Sequence, residues 1–536
     1  MASSSLRTLK NNINNLINQI ITSDLHGRKI YLLGSAEYGP VNEPIKIKST
    51  VGLYNKFGKT GTLIDAFHAV KYTSRDNEVY LVKTTGEYAI AYLNTNIYQG
   101  DISSNSFIIR SSEANEIFND IYIRLDIDKL TIVYPDDLNV PQHEVTYDFN
   151  KYPNVELLSK AINKDTKEKR GFINATYTVD PSTPTRNAFY VCNPDIVYLF
   201  GGQCGLDYSK NLLYNCLQRT YDLLESFPID IIVPVDAFID DIYPYDAEDE
   251  QYQYNMKYYQ STRDYLTADI HNKPRSYMDQ LINFCVNQLN FGQVTTGIMG
   301  FNTLQGWTTD ILSDADIVKD RLIECFKYNR EICINRDYAF LVSVVAGDIK
   351  YNMGTIINNG YLAYAGFNAS ITINSGNTNI PVSDHIELYS EFSEDALKEL
   401  ADIGIVTFRH SPLYNKVVVY DGTTAYYNSD DKKYPALKEY CNVRMIQMCI
   451  SYLNILFQYY IGLNLNELID NKIIDTNITE ILSVLTSRNI ITDYRFKLEP
   501  DYKTGKLKVL LSLLTNYMTK AINIQSYINI NSEEQT

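Results

Sequence analysis

IYLLGSAEYGPVNEPIKIKSTVGLYNKFGKTGTLIDAFHAV, from Ile30 to Val70, carries the signals of two strands and a helix in one segment. The apolar run Ile30–Leu33 predicts a buried strand, and the alternation of isoleucine with lysine at 45–48 predicts a half-buried one. Thr62, followed by Asp65 three residues later, predicts a helix start with a capping box. Helical spacing relates the apolar residues Leu63, Ala66, Phe67 and Val70. We expect a compact α/β unit here.

Helical and strand patterns alternate after residue 190. Three helical stripes each precede an apolar run, and the pairs are 213–224 with 229–233, 278–289 with 294–298, and 318–326 with 339–346. Because parallel strands need a crossover connection, usually a helix, this order predicts a parallel sheet. Between 101 and 190, short strands and turns instead predict a separate, mostly β module.

Caps and turns mark the elements of the C-terminal part. Ser393 and Gly404 bracket a helix. A long apolar stripe at 443–460 predicts a buried helix. Asn477, followed by glutamate three residues later, predicts another helix start. A turn at Gly505 between two alternating runs predicts a β-hairpin.

The charge balance limits the possible functions. The 536 residues include 48 Lys and Arg against 64 Asp and Glu, a formal net charge of −16. Because phosphate binding needs a basic surface, we expect no direct contact with nucleic acid. The most apolar long stretch, Cys449–Leu463, is interrupted by Asn454 and Gln458 and is too short to span a bilayer. The N-terminus lacks a signal-peptide pattern, so we expect no membrane partner and folding in the cytoplasm.

Neither a metal site nor a cofactor site is predicted. The eight cysteines contain no Cys-x-x-Cys pair, which favours reduced, buried thiols over a zinc ribbon or a disulfide framework. The acidic loop Asp240–Glu250 lacks the ligand spacing and central glycine of a calcium loop, so we interpret it as solvated. The segment FGGQCGLDYS at 200–209 has no G-x-G-x-x-G pattern and reads as a structural turn.

One segment has the residue types of a nucleotide-binding loop. FGKTG at Phe57–Gly61 contains glycine, lysine and threonine, which such a loop uses to bind phosphate and magnesium. The spacing differs, because Gly52 and Gly58 enclose five residues where the pattern requires four. The six histidines are scattered, and no serine lies in a hydrolase motif. We predict no catalytic residues and no enzyme activity, with an NTP-binding enzyme that uses this segment as the alternative from another class.

Several segments, in order along nearly the whole chain, resemble contractile bacteriophage tail sheath proteins. Besides Ile30–Val70, they are VYLVKTTGEYAIAYL (79–93), YLFGGQCGLDYSKNLLYNCL (198–217), IDIIVPVDAF (229–238), LKELADIGIVTF (397–408) and NVRMIQMCISYLNILFQYYIGLNLNE (442–467). The resemblance implies an α/β multidomain fold, in which a subtilisin-like, non-catalytic α/β domain carries an inserted β-sandwich module. A C-terminal α+β domain that carries an extended arm completes the implied fold.

The resemblance also implies domain boundaries. The expected ranges are 1–25 for an N-terminal arm, 26–100 for an N-terminal α/β part of the core, 101–190 for the β-sandwich-like module, 191–420 for the subtilisin-like α/β domain, 421–520 for the C-terminal α+β core domain and 521–536 for the C-terminal arm.

A structural role follows from the resemblance. A sheath subunit polymerises helically around a tail tube and contracts to drive the tube through the host envelope, which allows genome ejection. The implied partners are other copies of the chain, the tail tube protein, and the baseplate and tail terminator proteins. The implied location is the virion tail sheath, assembled from a late protein in the host cytoplasm. The sheath of a bacteriocin or of a bacterial contractile injection system is the alternative.

Terminal arms link sheath subunits of this family by adding strands to a neighbour's sheet. The C-terminal arm is assigned to Ala521–Ile530, because isoleucines alternate there. The candidate strand-exchange residues are Ile522, Ile524, Ile528 and Ile530. The segment Leu6–Ile20 has helical spacing, and we expect either a short amphipathic helix or an arm that orders on binding.

Overall fold

The structure, a computed structural model, describes most of the chain. The described residues are 2–22, 29–74, 77–94, 106–138, 140–168, 171–186, 189, 192–206, 210–241, 276–302, 315–351, 356–357, 360–373, 375–389, 391–426 and 435–515.

Helices and strands alternate along much of this range. The α-helices are α1 (Ala2–Thr22), α2 (Thr50–Phe57), α3 (Thr62–Thr73), α4 (Val155–Lys167), α5 (Lys210–Leu224), α6 (Tyr277–Asn290), α7 (Ala315–Ile332), α8 (Gly360–Ser370), α9 (Glu394–Ile403), α10 (Tyr440–Gln458), α11 (Leu465–Asp470) and α12 (Ile473–Ser487). The strands are β1 (Lys29–Gly34), β2 (Ile45–Ile47), β3 (Glu78–Lys83), β4 (Ile90–Asn94), β5 (Ser106–Ser111), β6 (Tyr122–Leu125), β7 (Lys129–Val133), β8 (Glu144–Asp148), β9 (Ile173–Tyr177), β10 (Ile196–Tyr198), β11 (Ile231–Pro234), β12 (Thr296–Gly300), β13 (Val342–Val345), β14 (Ile349–Tyr351), β15 (Ile356–Ile357), β16 (Ile386–Leu388), β17 (Ile405–Val406), β18 (Phe408–Ser411), β19 (Lys416–Val419), β20 (Ile491–Asp501) and β21 (Lys506–Thr515).

A seven-stranded sheet, in the order β17-β13-β12-β11-β1-β3-β2, forms the centre of the molecule. Strand β1 is parallel to β3 on one side, with Ile30 opposite Val79, and to β11 on the other, with Ile30 opposite Ile231. The other neighbours are also parallel, except β2, which is antiparallel to β3. The predicted parallel sheet is confirmed. It joins strands from the N-terminal segment and from the alternating region after residue 190.

The helix predicted from Thr62 is present, but its N-terminus is capped differently. Gly61, the residue before α3, has a φ of 112° and provides no side-chain cap. The Thr62 side chain instead accepts a hydrogen bond of 3.0 Å from the backbone N–H of Ser35. The capping-box interpretation with Asp65 is therefore wrong, because Thr62 already lies inside the helix and its hydroxyl makes a tertiary contact.

Each face of the central sheet buries its own apolar core. On one face, α2, α3 and α8 pack against β1, β3 and β11. On the other face, α5, α6, α7 and α9 cover the same strands. A parallel sheet needs both faces covered, since its strands are apolar on both sides. This explains why Ile30–Leu33 reads as a continuous apolar run rather than as an alternating one.

Close contact between α3 and α8 depends on Gly366. A Cβ atom at this position would lie 2.7 Å from the carbonyl oxygen of Val70 and would overlap the hydroxyl of Thr73. We expect Gly366→Val to lower the free energy of unfolding by about 1–3 kcal/mol, because the two helices would have to move apart. Urea denaturation measures this loss.

A second helical glycine provides the control for Gly366. A Cβ atom on Gly52 in α2 would meet only the Ser49 hydroxyl, at 3.4 Å. Gly52→Ala should therefore leave stability unchanged or raise it by about 0.5–1 kcal/mol, since alanine favours helix. Equal destabilisation by the two substitutions would contradict the packing explanation.

A mostly β unit is inserted between β3 and β11. Its two sheets, β4-β5-β9 and β10-β6-β7-β8, and the helix α4 enclose one apolar core. Phe200 bridges to Ile90 directly after β10, so the chain passes from one sheet to the other at this point. Strands β4 and β10 contribute to this core. The core therefore includes residues before and after 101–190, the range expected for the β module.

The C-terminal part is a helical cluster with a long hairpin. Helices α10 and α12 share a core with β20 and β21. The predicted hairpin is confirmed, because the two strands pair antiparallel from Asp493 opposite Leu514 to Asp501 opposite Lys506. Helix α12 begins at Ile473, so the helix start predicted at Asn477 is wrong. Because Asn477 lies within the helix, its amide instead donates to the Tyr460 hydroxyl at 2.7 Å.

The N-terminal segment is a helix in this structure. Leu16 and Ile20 of α1 are buried in the core that α10 and α12 form. Arg488, directly after α12, donates to the carbonyl oxygen of Ile20. Of the two alternatives predicted for Leu6–Ile20, the structure therefore contains the amphipathic helix. None of the described helices is long and apolar enough to cross a membrane.

Candidate functional site

The central sheet has one position where α/β proteins commonly bind ligands. Strand β1 lies between β3 and β11, and the connections from these strands continue toward opposite edges of the sheet. Such a reversal of strand order opens a crevice at the carboxyl ends of the strands. We therefore expect any ligand-binding or catalytic residues of this sheet to follow β1 and β11.

Polar side chains of the protein itself fill this crevice. Asp236, just after β11, lies beside Ser35, just after β1, and Thr62 at the start of α3, and both neighbours favour its ionised form. The hydroxyls of Ser35 and Thr62 are 3.0 Å apart. Tyr361 of α8 closes the same region by donating to the carbonyl oxygen of Val235 at 3.0 Å. The polar atoms are thus paired with one another, and the arrangement stabilises the junction of β1, β11 and α3.

The nucleotide-loop segment is also occupied by a carboxylate of the chain. The backbone N–H of Lys59 and the hydroxyl of Thr60 both donate to Glu37 Oε2, at 3.3 Å and 3.2 Å. A Cβ atom on Gly58 would lie 2.6 Å from the same oxygen. A phosphate group would have to displace Glu37 to use these donors. The segment therefore serves as an internal anion site at the N-terminus of α3.

A buried lysine connects the sheet to the β unit. Lys83, the last residue of β3, is fully buried, and its Nζ donates to the carbonyl oxygen of Ala114 at 2.7 Å. Burial lowers the pKa of Lys83 to about 8. Glu37, Glu113 and Glu116 favour the charged amine from nearby. Its hydrogen bond and its surroundings indicate a structural role between two units of the fold.

Removal of the Asp236 charge should change how stability depends on pH. Burial raises the pKa of Asp236 from 3.8 to about 6. The unfolded chain therefore ionises first, and this group costs stability as pH rises from about 4 to 6. We expect Asp236→Asn to gain stability relative to the natural protein over that range, by on the order of 1–3 kcal/mol. Urea midpoints at pH 4.5, 5.5 and 7 measure the difference.

An exposed carboxylate serves as the control for Asp236. Asp395 lies on the solvent side of α9. Asp395→Asn removes an exposed charge and should change stability by about 0.5 kcal/mol or less. A flat difference for Asp236→Asn would contradict the assigned pKa.

Potential metal ligands do not cluster in the described part of the chain. The parts of the chain that the structure describes contain no group of three or more His, Cys, Asp or Glu side chains that could hold a metal ion. His68 of α3 lies near Tyr54, with Nε2 at 3.2 Å from the tyrosine hydroxyl. Most of the acidic loop Asp240–Glu250 lies outside the described residues.

The hairpin β20–β21 is the most distinctive candidate for protein contacts. Its strands have 11 and 10 residues and form a sheet of only two strands. Within the described residues, the outer edge of each strand has no ladder partner. Unpaired strand edges present backbone N–H and C=O groups that can bind another strand. The candidate arm residues Ile522, Ile524, Ile528 and Ile530 lie outside the described residues.

The inner face of the hairpin is incompletely covered. Side chains of β21 and α10 line a groove of about 420 Å³. The apolar lining residues are Ile446, Ile450, Leu453, Phe457, Val509, Leu511 and Leu513. Sequence alternation predicted the hairpin but not this groove, because the groove depends on how the hairpin lies against α10.

Comparison with solved structures identifies the fold. The sheath tail protein from Listeria innocua has a TM-score of 0.51 and 13% sequence identity, and the match covers 94% of this chain and 99% of that chain. This likeness shows that the chain has the fold of a tail sheath protein, a mixed α/β fold with several sheets. The fold expected from the resemblance is thus confirmed at this level.

Other sheath structures match with lower scores. The sheath tail protein from Desulfitobacterium hafniense has a TM-score of 0.46 and 12% identity, over 92% of this chain and 98% of that chain. The contracted sheath complex of the extracellular contractile injection system PVC has a TM-score of 0.45 and 11% identity, over 95% and 94%. No family model and no curated protein sequence matches this chain.

Proposed function

We propose that this chain is the structural subunit of a contractile bacteriophage tail sheath. The observation that carries the proposal is the fold shared with a sheath tail protein over 94% of this chain and 99% of the other. Copies would polymerise helically around a tail tube and contract to drive it through the host envelope. The tube, baseplate and tail terminator proteins would be the other partners, and the location would be the virion.

The filled crevice supports a mechanical rather than a catalytic role. Asp236, Ser35 and Thr62 occupy the crevice, and Glu37 accepts hydrogen bonds from the donors of the glycine-lysine-threonine loop. We propose that the central sheet is a subtilisin-like, non-catalytic domain with the β unit as an inserted sandwich. The position of the β unit between β3 and β11 in the chain supports this assignment.

Contraction in this proposal needs no bound nucleotide. An assembly built in a metastable extended state can pass to a shorter state when its subunit contacts rearrange. Shifting a two-state element from mostly one form to mostly the other takes only about 5.5 kcal/mol. A helical polymer adds this free energy over many subunits.

Strand addition is the proposed link between copies. The C-terminal arm, with its alternating Ile522, Ile524, Ile528 and Ile530, would add a strand to the hairpin of a neighbouring copy. Two observations support this: the outer edges of β20 and β21 pair with no other strand in the part of the chain that the structure describes, and apolar residues on the inner face of the hairpin are partly exposed. Two-stranded sheets are marginal on their own and gain stability from a third strand.

Electron microscopy of the purified full-length chain tests the proposal. We expect negative-stain images to contain hollow cylinders of constant diameter, alone or around added tube protein. A chain that remains monomeric in both conditions, or one that hydrolyses a nucleoside triphosphate, would refute the sheath assignment.

A further inference from the structure

The outer face of the hairpin, which points away from α10, differs in charge from the rest of the chain. Five basic and three acidic residues lie between Ile491 and Thr515, whereas the whole chain has a net charge of −16. The exposed basic residues of the strands are Arg495, Lys497, Lys506 and Lys508. Three acidic residues share this face: Glu499 lies 2.9 Å from Lys497 and 3.6 Å from Lys508, and Asp493 and Asp501 lie toward the two ends of β20, which leaves the strands an excess of one positive charge. We call this surface the basic hairpin face.

Apolar side chains accompany these charges. Leu510 and Leu514 of β21 point to the same side and are 42% and 47% exposed. An exposed apolar patch rimmed by polar residues can mark a surface that a partner covers. The face is perpendicular to the strand edges, so a partner on this face and an added strand at the edge can bind together.

An acidic surface lies on α9, in the central α/β part of the molecule. All five acidic residues from 391 to 402 are exposed, namely Glu391, Glu394, Asp395, Glu399 and Asp402. Lys398 is the only basic residue in that range. Lys319 and Arg409 approach this surface, at 3.0 Å from Glu399 and 2.9 Å from Glu394. We call this surface the acidic α9 face.

The spacing of the charges on the two faces is similar. Residues four apart on a helix, such as Asp395 and Glu399, are separated by about 6 Å along the axis. Residues two apart on a strand, such as Lys506 and Lys508, are separated by about 6.7 Å. A helix laid along the hairpin can therefore pair successive carboxylates with successive amines. Ile317, 49% exposed on α7 beside α9, offers an apolar contact to the leucines.

We propose that the basic hairpin face of one copy binds the acidic α9 face of the next copy. This inference rests on the proposed sheath function. Because the two faces are different surfaces of one chain, the contact is heterologous and repeats without closing by itself, as a helical polymer requires. Opposite charges would hold the contact and would also make it sensitive to salt.

Charge exchange between the two faces tests the inference. Lys506→Glu with Lys508→Glu, or Asp395→Lys with Asp402→Lys, should each raise the critical concentration for cylinder assembly at least about tenfold, which is about 1.4 kcal/mol per contact. The chain carrying all four changes should assemble within about threefold of the natural protein, since the pairs are restored with reversed sign. Sedimentation and negative-stain microscopy measure assembly.

The control reverses the same number of charges elsewhere. Lys160→Glu with Lys164→Glu changes exposed residues of α4 in the β unit and should leave the critical concentration unchanged. Thermal denaturation establishes that each variant is folded, because exposed substitutions change stability by about 0.5 kcal/mol or less.

The outcomes separate this inference from the sheath assignment. Normal assembly of either double variant, or no recovery in the fourfold variant, overturns the inference while the natural protein still forms cylinders. Failure of the natural protein itself to assemble overturns the proposed function and the inference together.

Discussion

Removal of residues 521–536 is expected to abolish assembly into cylinders and to leave a folded monomer. Every core residue named above lies before Thr515, so the truncated chain retains these apolar contacts. It loses the alternating isoleucines proposed to add a strand to a neighbour. A tethered strand raises the effective concentration of each copy near the next, and its loss should raise the critical concentration at least about a hundredfold. Sedimentation and negative-stain microscopy measure the effect.

Point substitutions in the arm distinguish a strand from a simple tether. Replacement of Ile522, Ile524, Ile528 and Ile530 by asparagine should reproduce the truncation, because the apolar face of the added strand disappears. Replacement of the intervening Asn523, Gln525 and Asn529 by serine should have little effect. Ordered cylinders from the truncated chain would remove the arm proposal, and equal effects of the two sets would remove the alternating-face explanation.

Arg444→Ala is expected to destabilise the fold by about 3–5 kcal/mol, because it removes a large buried side chain and leaves neutral carbonyl groups without their donors. Arg444 of α10 is fully buried. Its Nη2 donates to the carbonyl oxygens of Ile371 and Thr372 at 3.1 Å and 2.7 Å, just after α8 ends. Its Nη1 donates to Asn377 at 3.5 Å. A positive charge at the C-terminal end of a helix also interacts favourably with the helix dipole.

The large effect has two causes. Substitution by alanine leaves a cavity between α10 and α8, and it leaves buried carbonyl groups without their donors. Because α10 is the helix that continues from the α/β part into the C-terminal cluster, the loss should also weaken their attachment. Urea denaturation should give a lower midpoint, and limited proteolysis should cleave the C-terminal part at lower urea concentrations than in the natural protein.

Two further substitutions test the assignment for Arg444. Arg444→Met keeps most of the side-chain volume and should recover part of the stability, while Arg444→Lys keeps the charge but offers no planar guanidinium for the two carbonyls. Arg336→Ala, at an exposed position, should change stability by about 0.5 kcal/mol or less. An Arg444→Ala chain as stable as the Arg336→Ala chain would contradict the structural role.

Local patterns predicted the elements well where the pattern and the environment agree. The run Ile30–Leu33 reads as a buried strand, and it lies in the middle of a sheet covered on both faces. The helix between Ser393 and Gly404 has both predicted caps, with the Ser393 side chain accepting from Ala396 and Gly404 at a φ of 102°. The hydrogen bonds of the helix and its caps lie within a few residues of one another. The strand was predictable for a different reason, because its continuous apolar run matches its burial on both faces.

Thr62 begins α3 as predicted, although its side chain makes a tertiary contact instead of capping the helix. The helix start predicted at Asn477 is wrong, because Asn477 lies inside α12 and uses its side chain for a contact with Tyr460. Helix α2 was not predicted, because it has only eight residues and contains Gly52. At Asn477, tertiary contacts outweighed local propensity.

The sequence by itself determined the class of the fold. Alternating apolar stripes and runs specify a parallel α/β sheet, the excess of acidic residues disfavours nucleic acid, and ordered segments resemble tail sheath proteins. These properties depend on short segments or on overall composition, so they can be recognised without knowing which distant residues are in contact. Only the tertiary structure decided that Glu37 accepts from the donors of the glycine-lysine-threonine loop, that Asp236 lies in the crevice after β11, that α1 completes the C-terminal core, and that the hairpin edges pair with no other strand among the described residues. Each of these depends on contacts between residues far apart in the chain, and such contacts form only when the chain folds.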